Sequence, residues 1–293
     1  MIPETVKSSI ESYLRELHNK TDKITNIKAV GGGSINQTYK LETEGGNYFI
    51  KINDAARYPQ MFEKEARGLE LLKSAETLKV PSVVHYDSSG SDAYLLLEFI
   101  ESGSSGGDFW ERFGSDLAAM HRKSHDYFGL DHDNYMGSLY QYNAPHEKWV
   151  DFFVEERLEK QVRLAHDDGA INRNDIALFE KLYPKLDGYF PDEPPALVHG
   201  DLWSGNYMAA ASGKAALIDP AAYYGHREVD IAMSTLFGRF SPEFYRSYNQ
   251  AWPMESGWEE RLDIYNLYPL LIHVNLFGGG YWGSVKSILK RFI

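Results

Sequence analysis

The feature that most constrains the fold is a change of pattern near residue 100. Up to about Ile100 the chain is rich in β-type runs, with one helical stretch at about Gln60–Ser74, and beyond it helical spacing of apolar residues dominates. The segment 101–108, ESGSSGGD, has the composition of a flexible connector. The sequence therefore predicts an α+β protein with a small β lobe over residues 1–100 and a larger helical lobe over residues 101–293. Ligand clefts often form between two such lobes.

Within the first lobe, local signals indicate an antiparallel arrangement. Residues 1–18 carry apolar side chains at helical spacing and predict an amphipathic helix. Gly45, Gly46 and Asn47 separate two β-type runs, 39–41 and 48–52, which is typical of a tight hairpin.

Bulk composition excludes several functions. A formal net charge of -12, without a run of basic residues, disfavours nucleic acid and anionic lipid as partners. The sequence has no cysteine, which excludes disulfides, thiolate metal sites and cysteine nucleophiles. No apolar run approaches 18 residues and the first residues lack an apolar signal core, so we expect a cytoplasmic protein.

The strongest chemical signal is HGDLWSGN at 199–206, followed by IDP at 218–220. Asp201, Asn206 and Asp219 are oxygen donors on loops at the ends of short strands. Mg²⁺ prefers oxygen ligands, and phosphoryl transfer uses a carboxylate near the attacking hydroxyl, so this set meets both needs. Asp and Asn also occur in turns for backbone reasons, but the ordered set favours a phosphotransferase. We interpret His199 as a structural brace of the loop.

A lysine inside an apolar strand is the second signal. Lys51 lies in YFIKI, where a buried ammonium is costly unless it has an anionic partner. Glu65 lies near the apolar face of the following helix and is a candidate partner for a lysine that holds nucleotide phosphates. The alternatives are a surface lysine on an edge strand and a solvated helix charge.

Two further segments fit a nucleotide site. The loop formed by Gly31, Gly32, Gly33, Ser34, Ile35 and Asn36 precedes the lysine strand, and glycine lets backbone N–H groups approach phosphate. It matches no standard phosphate-loop motif, and a plain turn remains the alternative. Glu98, Phe99 and Ile100 end a strand that enters the connector, where backbone groups could bind adenine; a buried core strand is the alternative.

These segments together resemble the fructosamine kinase (ketosamine-3-kinase) family, a relative of aminoglycoside and choline kinases in the protein-kinase-like superfamily. The resemblance covers nearly the whole chain and rests on GGGSIN, YFIKIN, FEKEARGLELL, LLLEFIE, LVHGDLWSGN, LIDPAAYYGHREVDIAM and NLFGGGYWGSV. It implies an ATP- and Mg²⁺-dependent kinase that phosphorylates a ketoamine, by resemblance at O3 of its sugar, and so serves deglycation.

The resemblance also implies roles for single residues. Asp201 would be the base, Asn206 and Asp219 would bind Mg²⁺, and Lys51 with Glu65 would hold the phosphates. The loop 31–36 would cover the phosphates, and residues 98–100 would contact adenine. The implied sugar pocket consists of Trp203, His273, Asn275 and Trp282, with helix packing as the alternative for the last three.

Two other functions stay open at this point. The chain could phosphorylate another hydroxylated amine, such as an aminoglycoside or choline, or it could be a pseudokinase that only binds nucleotide. Some family members carry a cysteine in the Gly-rich loop and form redox-sensitive dimers; Ser34 stands there in this chain, so that kind of thiol regulation is not available. We expect a monomer or weak dimer.

Overall fold

The computed structural model describes residues 2–31, 35–278 and 280–293. Its first lobe is built on an antiparallel sheet with strand order β1-β2-β3-β5-β4. The hairpin between β2 and β3 turns at Gly46, whose φ of 154° favours glycine. The strands are β1 (Ile24–Ala29), β2 (Gln37–Thr43), β3 (Asn47–Asp54), β4 (Val83–Ser89) and β5 (Asp92–Glu98).

One helix covers each face of this sheet. Helix α1 (Glu4–His18) packs Val6, Ile10 and Leu14 on one face, and α2 (Met61–Lys73) lies on the other. Successive side chains of β5 point to opposite faces of the sheet, so Leu96 packs on the α1 side and Leu95 on the α2 side. Strands β3 and β5 are therefore buried on both faces, and the α2 side of the sheet continues into the core of the second lobe.

The connector is less free than its composition suggests. The amide of Gly103 donates to the carbonyl of Ala209 over 2.8 Å, and the amide of Ala211 donates to the carbonyl of Glu101 over 2.7 Å. Gly103 has no room for a side chain, since a Cβ would collide with the carbonyl of Ala210. The first residues of the connector therefore pair with the edge of a short strand in the second lobe.

The second lobe is mostly helical and encloses the larger apolar core. Helix α9 runs through this core with Pro269 inside it, and α3 and α8 pack so closely at Gly114 that a Cβ would meet the carbonyl of Phe244. The helices are α3 (Phe109–His121), α4 (Trp149–Phe152), a π-helical segment (Phe153–Leu158), α5 (Glu159–Asp167), α6 (Arg173–Leu182), a 3₁₀ segment (Tyr183–Gly188), α7 (Glu228–Leu236), α8 (Pro242–Ala251), α9 (Trp258–Phe277) and α10 (Trp282–Phe292).

Three short two-stranded pairs complete the lobe, two of them next to the loops that carry HGDLWSGN and IDP. Strand β8 pairs with β11, β9 with β10, and β6 with β7. Their bounds are β6 (Asn134–Met136), β7 (Leu139–Gln141), β8 (Ala196–Val198), β9 (Tyr207–Ala209), β10 (Ala215–Leu217) and β11 (Tyr223–Gly225).

The β6–β7 hairpin bridges the lobes. A Cβ at its tip, Gly137, would lie 3.2 Å from Leu276 of α9 and 3.5 Å from Ile35 of the Gly-rich loop. Lys64 of α2 donates to the carbonyl of Asp133 over 2.5 Å. The hairpin thus closes one side of the space between the lobes. Among the described residues, no helix has the length and apolar character needed to cross a bilayer.

Candidate active site

The loop after β8 is held in shape by glycine and histidine. Gly200 has φ +82°, and a Cβ there would collide with the carbonyl of Ala221. His199 is buried; its Nε2 lies 2.9 Å from the carbonyl of Ile218, and its Nδ1 accepts from the amide of Asp201 over 3.2 Å. Burial lowers the pKa of His199, although the charge of Asp230 opposes this. The expectation of a structural histidine is confirmed, because both ring nitrogens are occupied.

A second carboxylate, Asp230 of α7, anchors the same loop from behind. Its Oδ2 accepts from the amide of His199 over 2.7 Å, and its Oδ1 accepts from the amide of Gly200 over 2.9 Å. The Nε2 of His121 lies 3.1 Å from Oδ2, and the Nδ1 of His121 lies 2.8 Å from the hydroxyl of Tyr248. The sequence analysis assigned Asp230 no role. Its signal in the sequence is an aspartate directly before the apolar run 231–233.

The loop presents Asp201 next to Asn206. The Nδ2 of Asn206 donates to the backbone carbonyl of Asp201 over 2.8 Å and to its carboxylate Oδ2 over 2.9 Å. Burial raises the pKa of Asp201 well above its usual range; the bond from Asn206 opposes this, and the charges of Asp219 and Asp230 add to it. One carboxylate oxygen of Asp201 is therefore fixed by Asn206, and Oδ1 has no hydrogen bond within the described part of the chain.

Lys51 of the first lobe contacts one carboxylate from each lobe. Its Nζ lies 2.7 Å from Oε1 of Glu65 and 2.7 Å from Oδ1 of Asp219, and its side chain is 3% exposed. Burial alone would lower the pKa of Lys51, but the charges of Asp219 and Glu65 outweigh it and raise that pKa. Burial raises the pKa of Glu65. The charge of Lys51 opposes this rise, and the charge of Asp219 adds to it. The expected ion pair with Glu65 is present.

Asp219 is held in an unusual backbone conformation. Its φ is +54°, which is rare for a residue other than glycine or asparagine and is typical of functional loops. This conformation follows β10 and turns the carboxylate toward Lys51 of the other lobe.

Two cavities meet at these residues. The larger has a volume of about 360 Å³, the smaller about 220 Å³, and both are lined by Asn36, Lys51 and Asp219. Asp201, Trp203, Asn206 and Glu65 line only the larger one, and Gly31 lines the smaller.

The smaller cavity is a mainly apolar slot between the lobes. Apolar side chains of the first lobe face Met208 and Ile218 of the second. Glu98, Phe99 and Ile100 line its edge. The carboxylate of Glu98 is already bound, since it lies 2.5 Å from Nζ of Lys79, so backbone groups of this segment are what a ligand would meet.

The larger cavity has an aromatic wall that the sequence revealed only in part. Trp203 stands on the backbone of Gly205, where a Cβ would collide with the indole ring. Its ring centroid lies 6.2 Å from that of Phe237. The wall consists of Trp203, Phe237, His273, Phe277 and Tyr281. Phe237, Phe277 and Tyr281 were missed, although Phe277 and Tyr281 lie within the NLFGGGYWG segment.

The remaining predicted residues divide into two groups. Asn275 donates to Oε1 of Gln161 over 2.8 Å, and Trp282 is buried with its ring 6.2 Å from that of Phe179. Neither lines the cavity, so the structure does not bring them to the site expected for them. Gly32, Gly33 and Ser34, which the sequence predicts to cover the phosphates, lie outside the described residues.

The donor set is suited to a divalent cation. Because the Nδ2 of Asn206 is used for Asp201, its Oδ1 is left as an acceptor, and no described residue donates to it. Asp219 keeps a second carboxylate oxygen, and its side chain is 41% exposed. Carboxylate and amide oxygens are the ligands that Mg²⁺ prefers, and it normally completes its shell with water and phosphate. The residues present therefore fit Mg²⁺.

Comparison with known proteins identifies the family. The sequence model described as fructosamine kinase matches residues 6–293. The chain belongs to the fructosamine kinase family. A protein of Synechocystis sp. described as a probable ketoamine kinase is 42% identical over 286 residues, which are 97% of this chain and 95% of that protein. The chloroplastic protein-ribulosamine 3-kinase of Arabidopsis thaliana is 39% identical over 282 residues, 94% of this chain and 84% of that protein.

Solved structures agree. The crystal structure described as a fructosamine-3-kinase from Haemophilus somnus 129PT has a TM-score of 0.88 at 30% identity, and covers 97% of this chain and 96% of its own. An aminoglycoside phosphotransferase, APH(4)-Ia, shares the fold with a TM-score of 0.63 at 14% identity, and covers 96% of this chain and 98% of its own. The predicted fold class and family are confirmed, and this fructosamine kinase family member is an ATP-dependent phosphotransferase.

Proposed function

We propose that this enzyme transfers the γ-phosphoryl group of ATP to O3 of a fructosamine- or ribulosamine-type ketoamine, with Mg²⁺ as cofactor. The observation that carries the proposal is the position of Lys51, whose Nζ lies 2.7 Å from both Glu65 and Asp219 on the wall common to the two cavities. The names of the relatives, ketoamine kinase and protein-ribulosamine 3-kinase, support the acceptor.

Asp201 is the proposed base. Asn206 holds its Oδ2, so Oδ1 is available to the acceptor hydroxyl. As the O3–phosphorus bond forms, the bond between the γ-phosphorus and the bridging oxygen to the β-phosphate breaks. The hydroxyl proton passes to Asp201, and ADP leaves. Burial, which raises the pKa of Asp201, makes its carboxylate a stronger proton acceptor.

Nucleotide binding is assigned to the smaller cavity. Backbone groups of residues 98–100 would bind adenine in the apolar slot, and Lys51 would hold the phosphates under the loop 31–36. Asn206 and Asp219 would hold Mg²⁺, which when bound neutralises charge on the phosphate oxygens. We propose that residues 1–100 bind the nucleotide and that residues 101–293 carry out catalysis and bind the acceptor.

The larger cavity is the proposed acceptor site, with Trp203 as the wall for the sugar. By family resemblance, the 3-phosphate product breaks down and frees the amine, so deglycation of proteins or small amines is the proposed role. We place this role in the cytoplasm and expect a monomer or weak dimer.

Substitution of Asp201 tests the mechanism. We expect Asp201→Ala to lower kcat about 10²- to 10⁴-fold, because general-base catalysis contributes about that much. ATP consumption is measured with a ketoamine, a free sugar and an aminoglycoside side by side. Asp108→Ala, in an exposed ion pair with Arg112, is the matched control and should stay near wild type. Near-normal turnover by Asp201→Ala eliminates the mechanism, and preference for the aminoglycoside eliminates the acceptor.

A further inference from the structure

The aromatic wall of the larger cavity continues outward past the place of the sugar. From Trp203 near Asp201, the ring of Phe237 is 6.2 Å away, and the ring of His273 follows 4.5 Å from Phe237. Tyr281 and Phe277 lie 5.0 Å and 5.5 Å from His273. The wall is therefore much longer than a sugar ring stacked on Trp203 would need.

The outermost ring is the least covered. Phe277 is 59% exposed, the highest value among the large apolar side chains of the described chain, and it lines the same cavity as Asp201. An aromatic ring that a folded protein leaves in water at a cavity mouth gains free energy when a ligand covers it. The mouth is thus a candidate for contact with the part of the substrate that points away from the reacting hydroxyl.

His273 adds a fixed hydrogen-bond acceptor between these rings. Its Nδ1 lies 2.7 Å from the carbonyl of Pro269, which only accepts, so Nδ1 carries the proton and Nε2 is the acceptor of the neutral ring. Burial lowers the pKa of His273, which favours the neutral form. No residue in the described part of the chain donates to Nε2.

A ketoamine offers groups that match this arrangement. Its amine is a secondary amine, protonated near neutral pH, and can donate an N–H bond to the acceptor. Aromatic faces attract such cations. Lys64, a cation that also lines the cavity, is bound by the carbonyl of Asp133 and the hydroxyl of Tyr140. The N-substituent would then lie against the exposed ring.

We propose that His273, Phe277 and Tyr281 form the subsite for the amine of the ketoamine and its N-substituent. The enzyme accordingly favours ketoamines whose nitrogen carries an aromatic or extended apolar group over N-methyl ketoamines and over free ketoses. This inference rests on the proposed function, since it places the acceptor hydroxyl at Asp201.

The test compares two ketoamines of one sugar, N-benzyl and N-methyl, together with the free ketose. The kcat/KM of the full chain is measured with saturating Mg²⁺ and ATP. We expect Phe277→Ala to lower kcat/KM about 5- to 30-fold for the N-benzyl substrate, mainly through KM, and less than about twofold for the N-methyl substrate. Tyr86→Ala is the matched control, because Tyr86 is an aromatic residue 41% exposed on the sheet, away from both cavities.

A second pair of variants tests the acceptor. His273→Leu removes it and should lower kcat/KM about 10-fold or more for both ketoamines. His273→Gln keeps a side-chain acceptor and should recover part of the loss. If Phe277→Ala loses kcat/KM equally on both ketoamines, or on neither, the subsite is overturned. The proposed function is then still supported as long as the wild type phosphorylates ketoamines. A wild type that binds ATP but phosphorylates neither ketoamine refutes both.

Discussion

The anchor formed by Asp230 gives the sharpest test of how the fold positions the base. In the wild type its carboxylate accepts two backbone N–H bonds, from His199 at 2.7 Å and Gly200 at 2.9 Å. Asp230→Asn keeps the shape of the side chain but has only one oxygen that can accept a hydrogen bond. Its NH₂ group takes the place of the other oxygen and faces a backbone N–H group. One charged hydrogen bond is then lost and one becomes neutral, which we expect to cost about 2–4 kcal/mol of the free energy of unfolding.

The loss of activity should exceed what unfolding explains. The two amides belong to the residues directly before Asp201, so a shift of the loop moves the base relative to the acceptor hydroxyl. A displacement of about 1 Å at a reacting group costs about 10²-fold in rate, and we expect a similar fall in kcat. Urea denaturation gives the stability, and kcat is measured at 25 °C on protein shown by circular dichroism to be folded.

The matched control is Asp175→Asn. Asp175 is also a buried aspartate that accepts a backbone N–H bond, from Asn172 over 3.0 Å, in the capping box of α6. This variant should lose stability but keep kcat within about twofold. If Asp230→Asn is destabilised to the predicted extent yet turns over ketoamine at the wild-type rate, then Asp230 does not position the base and the reasoning is refuted.

Three other predictions follow from the site and the first lobe. Lys51→Met leaves Glu65 buried without its cation, so we expect a loss of about 3–5 kcal/mol in stability and at least about 10²-fold in kcat/KM for ATP, measured by urea denaturation and initial rates. Gly205→Ala displaces the ring of Trp203 and should raise KM for the ketoamine about 10-fold, measured at saturating ATP. Asp22→Asn should destabilise the protein at pH 7 and by less at pH 3, measured by urea denaturation at both values.

The sign for Asp22 follows from its bonds. Burial alone would raise its pKa, but hydrogen bonds from Thr43, His18 and the amide of Gly45 outweigh this and lower the pKa below the model-compound value of 3.8. A carboxyl whose folded-state pKa is depressed stabilises the fold above the unfolded pKa and stops doing so as the pH falls through the folded pKa. An equal deficit of Asp22→Asn at pH 3 and pH 7 would contradict the sign.

The controls for Lys51→Met and Gly205→Ala are the same kinds of substitution at positions that do not contact the site. Lys28→Met removes an exposed ion pair with Glu42 and should change neither stability nor kcat/KM measurably. A Cβ at Gly188 meets nothing within 4 Å, so Gly188→Ala should leave KM for the ketoamine unchanged. A Lys51→Met enzyme with wild-type kcat/KM for ATP would remove this lysine from phosphate binding. An unchanged KM in Gly205→Ala would remove Trp203 from the sugar pocket.

The sequence by itself determined what depends on neighbours along the chain. Helical spacing defined α1 and α2, the glycines at 45 and 46 marked the β2–β3 hairpin, and a run of local motifs identified the family. Asp201 and Asn206 could be assigned to one site because they are only five positions apart in one loop. The 2.9 Å hydrogen bond from Nδ2 of Asn206 to Oδ2 of Asp201 is therefore a local contact. Lys51 and Glu65 were pairable because a lysine in an apolar strand needs an anion.

Only the tertiary structure decided which side chains from distant segments share a cavity. On α9, His273 and Asn275 are two residues apart, so about 200° of helical rotation separates them; one lines the cavity and the other binds Gln161. The family resemblance predicted Asn275 in the pocket, where the structure does not place it, and the sequence analysis missed Phe237, which lies at the end of another helix. The bond from Asp230 to the loop at His199 spans 31 residues, and nothing in local spacing encodes such a contact, because packing of α7 against the loop creates it.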